Sequence, residues 1–178
     1  KTALKSPDRE FTFNELNELA GNFGRALFDR GVSVGDRVTL YGVNSWQWLI
    51  AYHGALKVGA VINPVNVMLT PKEVEFVLDD CQSTMLIADR DKLAPLMDVR
   101  STLGVNALIC LDTETESFES VGTLALLPGD VPPRPNVAAG DLSTICYTSG
   151  TTGFPKGAML SHEAVLLNAA MTAAMHER

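Results

Sequence analysis

The sequence is short of the residues that build several kinds of protein. Its three cysteines, Cys81, Cys110 and Cys146, form no C-x-x-C pair. An odd number at these spacings fits neither a disulfide framework nor a zinc site, so all three are expected to be small buried apolar residues. Long apolar runs are missing as well. Nothing approaches the roughly 18 uninterrupted apolar residues that mark a membrane span, and the first seven residues, Lys-Thr-Ala-Leu-Lys-Ser-Pro, lack the apolar core of a secretory signal. The expectation is a cytoplasmic protein. Positive charge is scarce: 14 Lys+Arg stand against 21 Asp+Glu in 178 residues, a formal charge of −7. Without a Lys/Arg run, a nucleic-acid groove or a site for anionic membrane is not expected. No Met opens the chain, from which a cut or processed chain is expected.

What is present is enough apolar material, 46% of residues, to bury a core. Thr12-Phe13-Asn14-Glu15 has the form of a capping box, after which Leu16, Leu19, Ala20, Phe23 and Leu27 recur at helical spacing until Gly31. Val38 to Tyr41 reads as a short strand, Ser45 as the N-cap of a helix running to about Val58, and Ala60 to Ile62 as the next strand. Thr70-Pro71-Lys72-Glu73 is a second capping box with Pro at the first helical position, followed by Val74, Val77 and Leu78. Met85 to Ile87 and Ala107 to Leu111 look like buried strands around a helical segment at Leu93 to Val99. Strands alternating with helices imply right-handed crossovers, hence an α/β fold with a mostly parallel sheet and flanking helices.

Residues 128–140 are rich in proline and read as a linker between a βα-repeat subdomain, 1–127, and a strand-loop-strand-helix segment, 141–178, of a larger incomplete domain. A short helix is expected near Phe118 to Leu126, an extended piece over Ala158 to Leu160, and a last helix capped by Ser161.

Chemistry concentrates in Tyr147-Thr148-Ser149-Gly150-Thr151-Thr152-Gly153-Phe154-Pro155-Lys156-Gly157, a connection following a predicted strand. Glycines let backbone N–H groups curl around anionic oxygens, hydroxyls add donors, and lysine adds a point charge, so this composition suits a polyphosphate. A plain Ser/Thr/Gly turn is the competing reading of composition alone. The Walker pattern is not met, since two residues separate Gly153 from Lys156.

With Met159-Leu160-Ser161-His162 after it, this stretch closely resembles the phosphate-binding signature of the adenylate-forming superfamily, which includes acyl-CoA synthetases, luciferases and peptide-synthetase adenylation domains. Two upstream segments are similar to the family's motifs in the same order: Phe11-Thr12-Phe13-Asn14-Glu15-Leu16 to its T-Y-x-E-L, and Leu56-Lys57-Val58-Gly59-Ala60-Val61-Ile62-Asn63-Pro64 to its L-K-x-G-A-x-x-x-P. The resemblance implies the N-terminal part of the large domain of an ATP-dependent acid–CoA ligase for a fatty or aryl acid. In such a ligase a carboxylate attacks the α-phosphate of Mg-ATP, pyrophosphate leaves, and CoA captures the acyl-adenylate. It implies that Thr148, Ser149, Gly150, Thr151, Thr152, Gly153 and Lys156 hold the β- and γ-phosphates, and it brings ATP, Mg²⁺ and CoA as the small molecules of the parent enzyme. The family's adenine-stacking aromatic, acidic Mg²⁺-binding segment, ribose-binding aspartate, hinge and adenylation lysine all lie beyond Arg178, so no catalytic and no metal-binding residue is assigned. The chain alone is expected to be inactive, and to self-associate through surface that a missing domain would cover. An adenylation domain serving a carrier protein is the alternative within the family. A non-catalytic nucleotide-binding or interaction module, and an unrelated flavodoxin-like domain, are the alternatives outside it.

Other residues are read as structural. His53 is expected to be packed or solvated, and His162 to make a local hydrogen bond at a helix start. At least one of Trp46 and Trp48 is expected in the core, because two residues apart they cannot share a helical face. Glu114, Glu116 and Glu119 are read as a solvated acidic face.

Overall fold

The computed structural model describes residues 1–130, 132, 134–148 and 155–176, with 99–101 described by backbone alone. The chain opens with a hairpin of β1 (Thr2–Lys5) and β2 (Glu10–Thr12), too short and too polar to have been read from the sequence. At its end the Thr12 hydroxyl accepts the Glu15 amide, while the Glu15 carboxylate accepts the Thr12 amide and hydroxyl. Helix α1 (Phe13–Asp29) therefore begins at the capping box, and it buries Leu19, Ala20, Phe23 and Leu27 on one face. Phe23 and Leu27, with 0% exposure, each contribute about 1.5–3 kcal/mol of hydrophobic stabilisation. Gly31, at φ 83°, supplies the left-handed turn that ends the helix.

Strand β3 (Arg37–Tyr41), helix α2 (Trp46–Lys57) capped by Ser45, strand β4 (Val61–Pro64), helix α3 (Pro71–Asp80) with the second capping box, and strand β5 (Ser83–Ala88) follow in alternation. A short α4 (Arg90–Leu93) runs into a 3-10 helix (Ala94–Thr102) before β6 (Ala107–Cys110). Helix α5 (Val121–Leu126) precedes β7 (Leu142–Thr148), β8 (Lys156–Ser161) and α6 (His162–His176). The sheet order is β6-β5-β3-β4-β7-β8, parallel throughout except for the antiparallel edge strand β8. This is the mixed α/β architecture expected from the alternation of strands and helices.

Residues of α1, α2 and α5 share one apolar cluster with one face of the sheet, and residues of α3, α4 and the 3-10 helix share another with the opposite face. Within the sheet a short polar ladder replaces apolar packing: Asn63 Nδ2 donates to Thr39 Oγ1 at 3.1 Å and Cys81 Sγ at 3.3 Å, and Thr39 meets Ser83 at 2.8 Å. Strands β7 and β8, beyond the proline-rich stretch, join this same sheet through the pairing of Ile62 with Thr144. The stretch is anchored as well, since Arg25 donates to the Asp130 carbonyl at 2.7 Å and Pro135 packs on Gly59.

Three expectations are corrected. Neither tryptophan is fully buried: Trp46 tilts against Phe11 and Trp48 stacks on Tyr52, each with centroids 5.4 Å apart, because both sit in the first turn of α2, whose buried residues begin at Ile50. Cys146 is half-buried rather than buried, since it alternates outward from Ile145 on β7. Lys156 and Gly157 belong to a strand, not to a loop, because the ladder with β7 continues to them. Helix α6 has no buried residue and exposes Leu166, Leu167, Met171 and Met175.

Helices α1 and α2 cross at a pair of glycines. A Cβ on Gly24 would sit 2.8 Å from the Gly54 carbonyl oxygen, a backbone atom that cannot turn aside. Ala raises helix propensity by about 1 kcal/mol over Gly, but overpacking costs about 1–3 kcal/mol. Gly24→Ala is therefore expected to lower the urea midpoint; a raised midpoint would show that the helices part freely.

Candidate functional site

The five parallel strands point the same way, so their carboxyl ends form one edge, the edge at which open α/β sheets bind ligands. By the register Ile62 to Thr144, Pro64 at the end of β4 lies level with Cys146, and Tyr147 and Thr148 project past it. Thr148 is exposed at the tip of β7, directly paired with exposed Lys156, the first residue of β8. Thus a hydroxyl and an ammonium, eight positions apart in sequence, are brought side by side at that edge. Ser149, Gly150, Thr151, Thr152 and Gly153 lie outside the described residues.

Behind this pair stand residues that sequence reasoning missed. The Tyr147 hydroxyl donates to Asp80 Oδ2, at the end of α3 on the neighbouring layer. Burial first, and then this bond, push the phenol's pKa well above its usual range, so the hydroxyl remains a donor at neutral pH. Gly157 faces Tyr147 across the ladder. At the other end of β8, the His162 and Glu163 amides donate to the carbonyls of Asp141 and Ala139 at 3.0 and 2.9 Å, and Ser161 accepts the Ala164 amide at 3.2 Å. This turn occupies donors at the start of α6. Six residues of strand put His162 about 20 Å from Lys156. His162 instead lines a cavity of about 570 Å³ with Phe13, Leu16, His53 and Leu56. His53 is exposed on one side, with its ring edge-on to Tyr52, and desolvation followed by Lys57 lowers its pKa.

The two upstream motifs prove to be structural. Thr12 and Glu15 form the α1 cap, Lys57 Nζ donates to Asn17 Oδ1 at 2.8 Å, and Gly59 takes φ 79° with no room for a Cβ beside Pro135, at 2.9 Å. Of the acidic residues, Glu119 pairs with Arg30 and Glu114 accepts from Thr123. Among the described residues no group of three or more His, Cys, Asp or Glu side chains gathers as a metal site, and no residue is assigned to one. Nor, among them, is any helix long and apolar enough to cross a membrane.

The whole chain, residues 1–178, matches the family described as AMP-binding enzyme. The chain belongs to that family. It is 33% identical to the indoleacetate–CoA ligase of Aromatoleum aromaticum over 178 residues, covering 99% of this chain and 35% of that enzyme. It is 35% identical to a long-chain-fatty-acid–CoA ligase of Mycobacterium tuberculosis over 167 residues, covering 90% of this chain and 31% of that one. Among solved structures, an anthranilate CoA ligase in complex with anthranoyl-AMP superposes with a TM-score of 0.88 at 31% identity, over 96% of this chain and 33% of that one. The ATP-bound MatB of Rhodopseudomonas palustris does so with 0.85 at 28%, over 98% and 34%. The chain thus spans about one third of the length of these relatives.

The carboxyl edge also holds Asp89, 5% exposed, whose Oδ2 accepts the Val43 amide at 2.8 Å. Burial raises its pKa despite that bond. The folded state therefore holds the proton more tightly than the unfolded state. The stabilising contribution is complete below the unfolded pKa and is lost as pH rises through the folded one. Asp89→Asn keeps an oxygen for Val43 and removes the desolvated charge. Denaturation midpoints are expected to place it above wild type at pH 7, with the gap closing as the pH falls to about 4; a variant less stable than wild type at pH 7 would contradict this.

Proposed function

We propose that this chain is the nucleotide phosphate-binding part of an ATP-dependent acid–CoA ligase acting on a fatty or aryl carboxylic acid. The observation that carries the proposal is the pairing of Thr148 with Lys156 at the carboxyl edge of the sheet, within the segment that resembles the family's phosphate-binding signature. Family membership supports it, as do relatives that are CoA ligases for indoleacetate and long-chain fatty acids.

In this reading the substrate carboxylate forms a bond to the α-phosphorus of ATP while the bond from that phosphorus to the β-bridging oxygen breaks, and CoA sulfur then takes the acyl group with release of AMP. This chain supplies no group that bonds to carbon. Its residues hold the part of ATP that leaves: the Thr148 hydroxyl and Lys156 ammonium, together with Ser149, Gly150, Thr151, Thr152 and Gly153, bind the β- and γ-phosphates. Fixed donors aimed where negative charge grows on departing pyrophosphate lower the barrier, because they need no reorganisation as the bond breaks. Magnesium enters as part of the nucleotide substrate.

The test is carboxylate-dependent exchange of pyrophosphate into ATP over a panel of fatty and aryl acids, run on this chain and on a longer protein, the chain extended to its gene's natural stop. Exchange in the longer protein and none in this chain is the expected result. Exchange by this chain alone would overturn the fragment reading; no exchange in either, with active controls, would leave a non-catalytic binding module.

A further inference from the structure

Thr148 and Lys156 are the terminal described pair of the β7–β8 ladder, and both are exposed, so packing on their own side chains does not fix them. Slippage by one residue in a strand pair turns every side chain to the opposite face. One pair inward, Tyr147 faces Gly157, and the contacts there are specific. A Cβ on Gly157 would lie 2.8 Å from Ile145 Cγ2, 3.1 Å from Tyr147 Cζ and 3.4 Å from Tyr147 Cε2, so the tyrosine ring lies across the space a side chain would take. The ring is held from its far end by the Asp80 carboxylate, and it packs against apolar clusters that include Leu78 of α3 and Val61 of β4.

We propose that Asp80 and Tyr147 form a positioning latch for the nucleotide site: the hydrogen bond fixes the ring over Gly157, and the ring fixes the register at which Thr148 and Lys156 meet the β- and γ-phosphates. The latch rests on the adenylation reading above. Neither residue touches the reacting atoms; both act through the strand ends. Helix α3 thereby sets the site from the layer against which Tyr147 packs. The tether also explains why β7 keeps its strand pairing with β8 after it has run past the end of β4, where no parallel neighbour among the described residues supports it.

The experiment compares Tyr147→Phe, Asp80→Ala and Asp80→Asn in the longer protein, with two readouts. Tyr147→Phe and Asp80→Ala are expected to raise the KM for ATP in pyrophosphate exchange roughly tenfold, the equilibrium weight of one hydrogen bond to a charged group. Capture of preformed acyl-adenylate by CoA, which uses neither the β- nor the γ-phosphate, is expected to be unchanged. Asp80→Asn retains an oxygen that accepts from the tyrosine hydroxyl and is expected to stay within about twofold of wild type, keeping the proposal testable if Asp80→Ala fails to fold. The latch is overturned if Tyr147→Phe leaves the KM for ATP within twofold, if Asp80→Asn is as impaired as Tyr147→Phe, or if both half-reactions fall together with the melting temperature. A wild-type protein without exchange would instead overturn the adenylation reading itself, and the latch with it.

Discussion

A parallel sheet must be covered on both faces, because its crossovers lay helices on each side and its strands are apolar throughout. Most of this structure follows from that constraint. The connection from β3 to β4 runs through α2 on one face, and that from β4 to β5 through α3 on the other. The two layers cover the sheet where β3 to β6 lie, while Thr148 and Lys156 stay exposed at the carboxyl end of β7. The antiparallel return of β8 adds what a parallel strand could not: it brings two ends of one short connection together as a direct pair.

The rigid parts of the scaffold and the site share residues more than their separate motifs suggest. Asp80 closes α3 and also holds Tyr147. Gly59 ends α2 and also accepts Pro135, which ties the proline-rich stretch to the sheet that carries β7. Under the proposed function the connection needs strand ends held from behind, since fixed donors act on a transition state only if their positions are set before it forms.

Much of this was legible in the sequence, and for local reasons. The capping boxes at Thr12 and Thr70 depend on residues three apart, so helix starts could be read directly. The buried strands announced themselves as short apolar runs. The hairpin β1–β2 was not legible, because Glu10-Phe11-Thr12 carries a single inward residue, and the Ser6-Pro7-Asp8 turn signal before it marks a turn without saying that strands flank it. Nor was the contact between Asp80 and Tyr147, which lie 67 positions apart and are joined only when β4 pairs with β7. From the sequence Lys156 reads as a loop residue because Gly153, Pro155 and Gly157 surround it; the ladder with Thr148 outweighs that composition. The motifs at Thr12 and Gly59 were visible as resemblances, but their roles as a helix cap and a close-packed turn needed the structure.

In the proposed function Lys156 holds the departing phosphates rather than the rest of the nucleotide. Equilibrium binding of Mg-ATP and of AMP to the longer protein, wild type and Lys156→Ala, tests it most directly. Lys156→Ala is expected to weaken ATP binding roughly tenfold or more, the weight of a charge-assisted contact, and to leave AMP binding unchanged. Equal loss of both, or unchanged affinity for ATP, would contradict it.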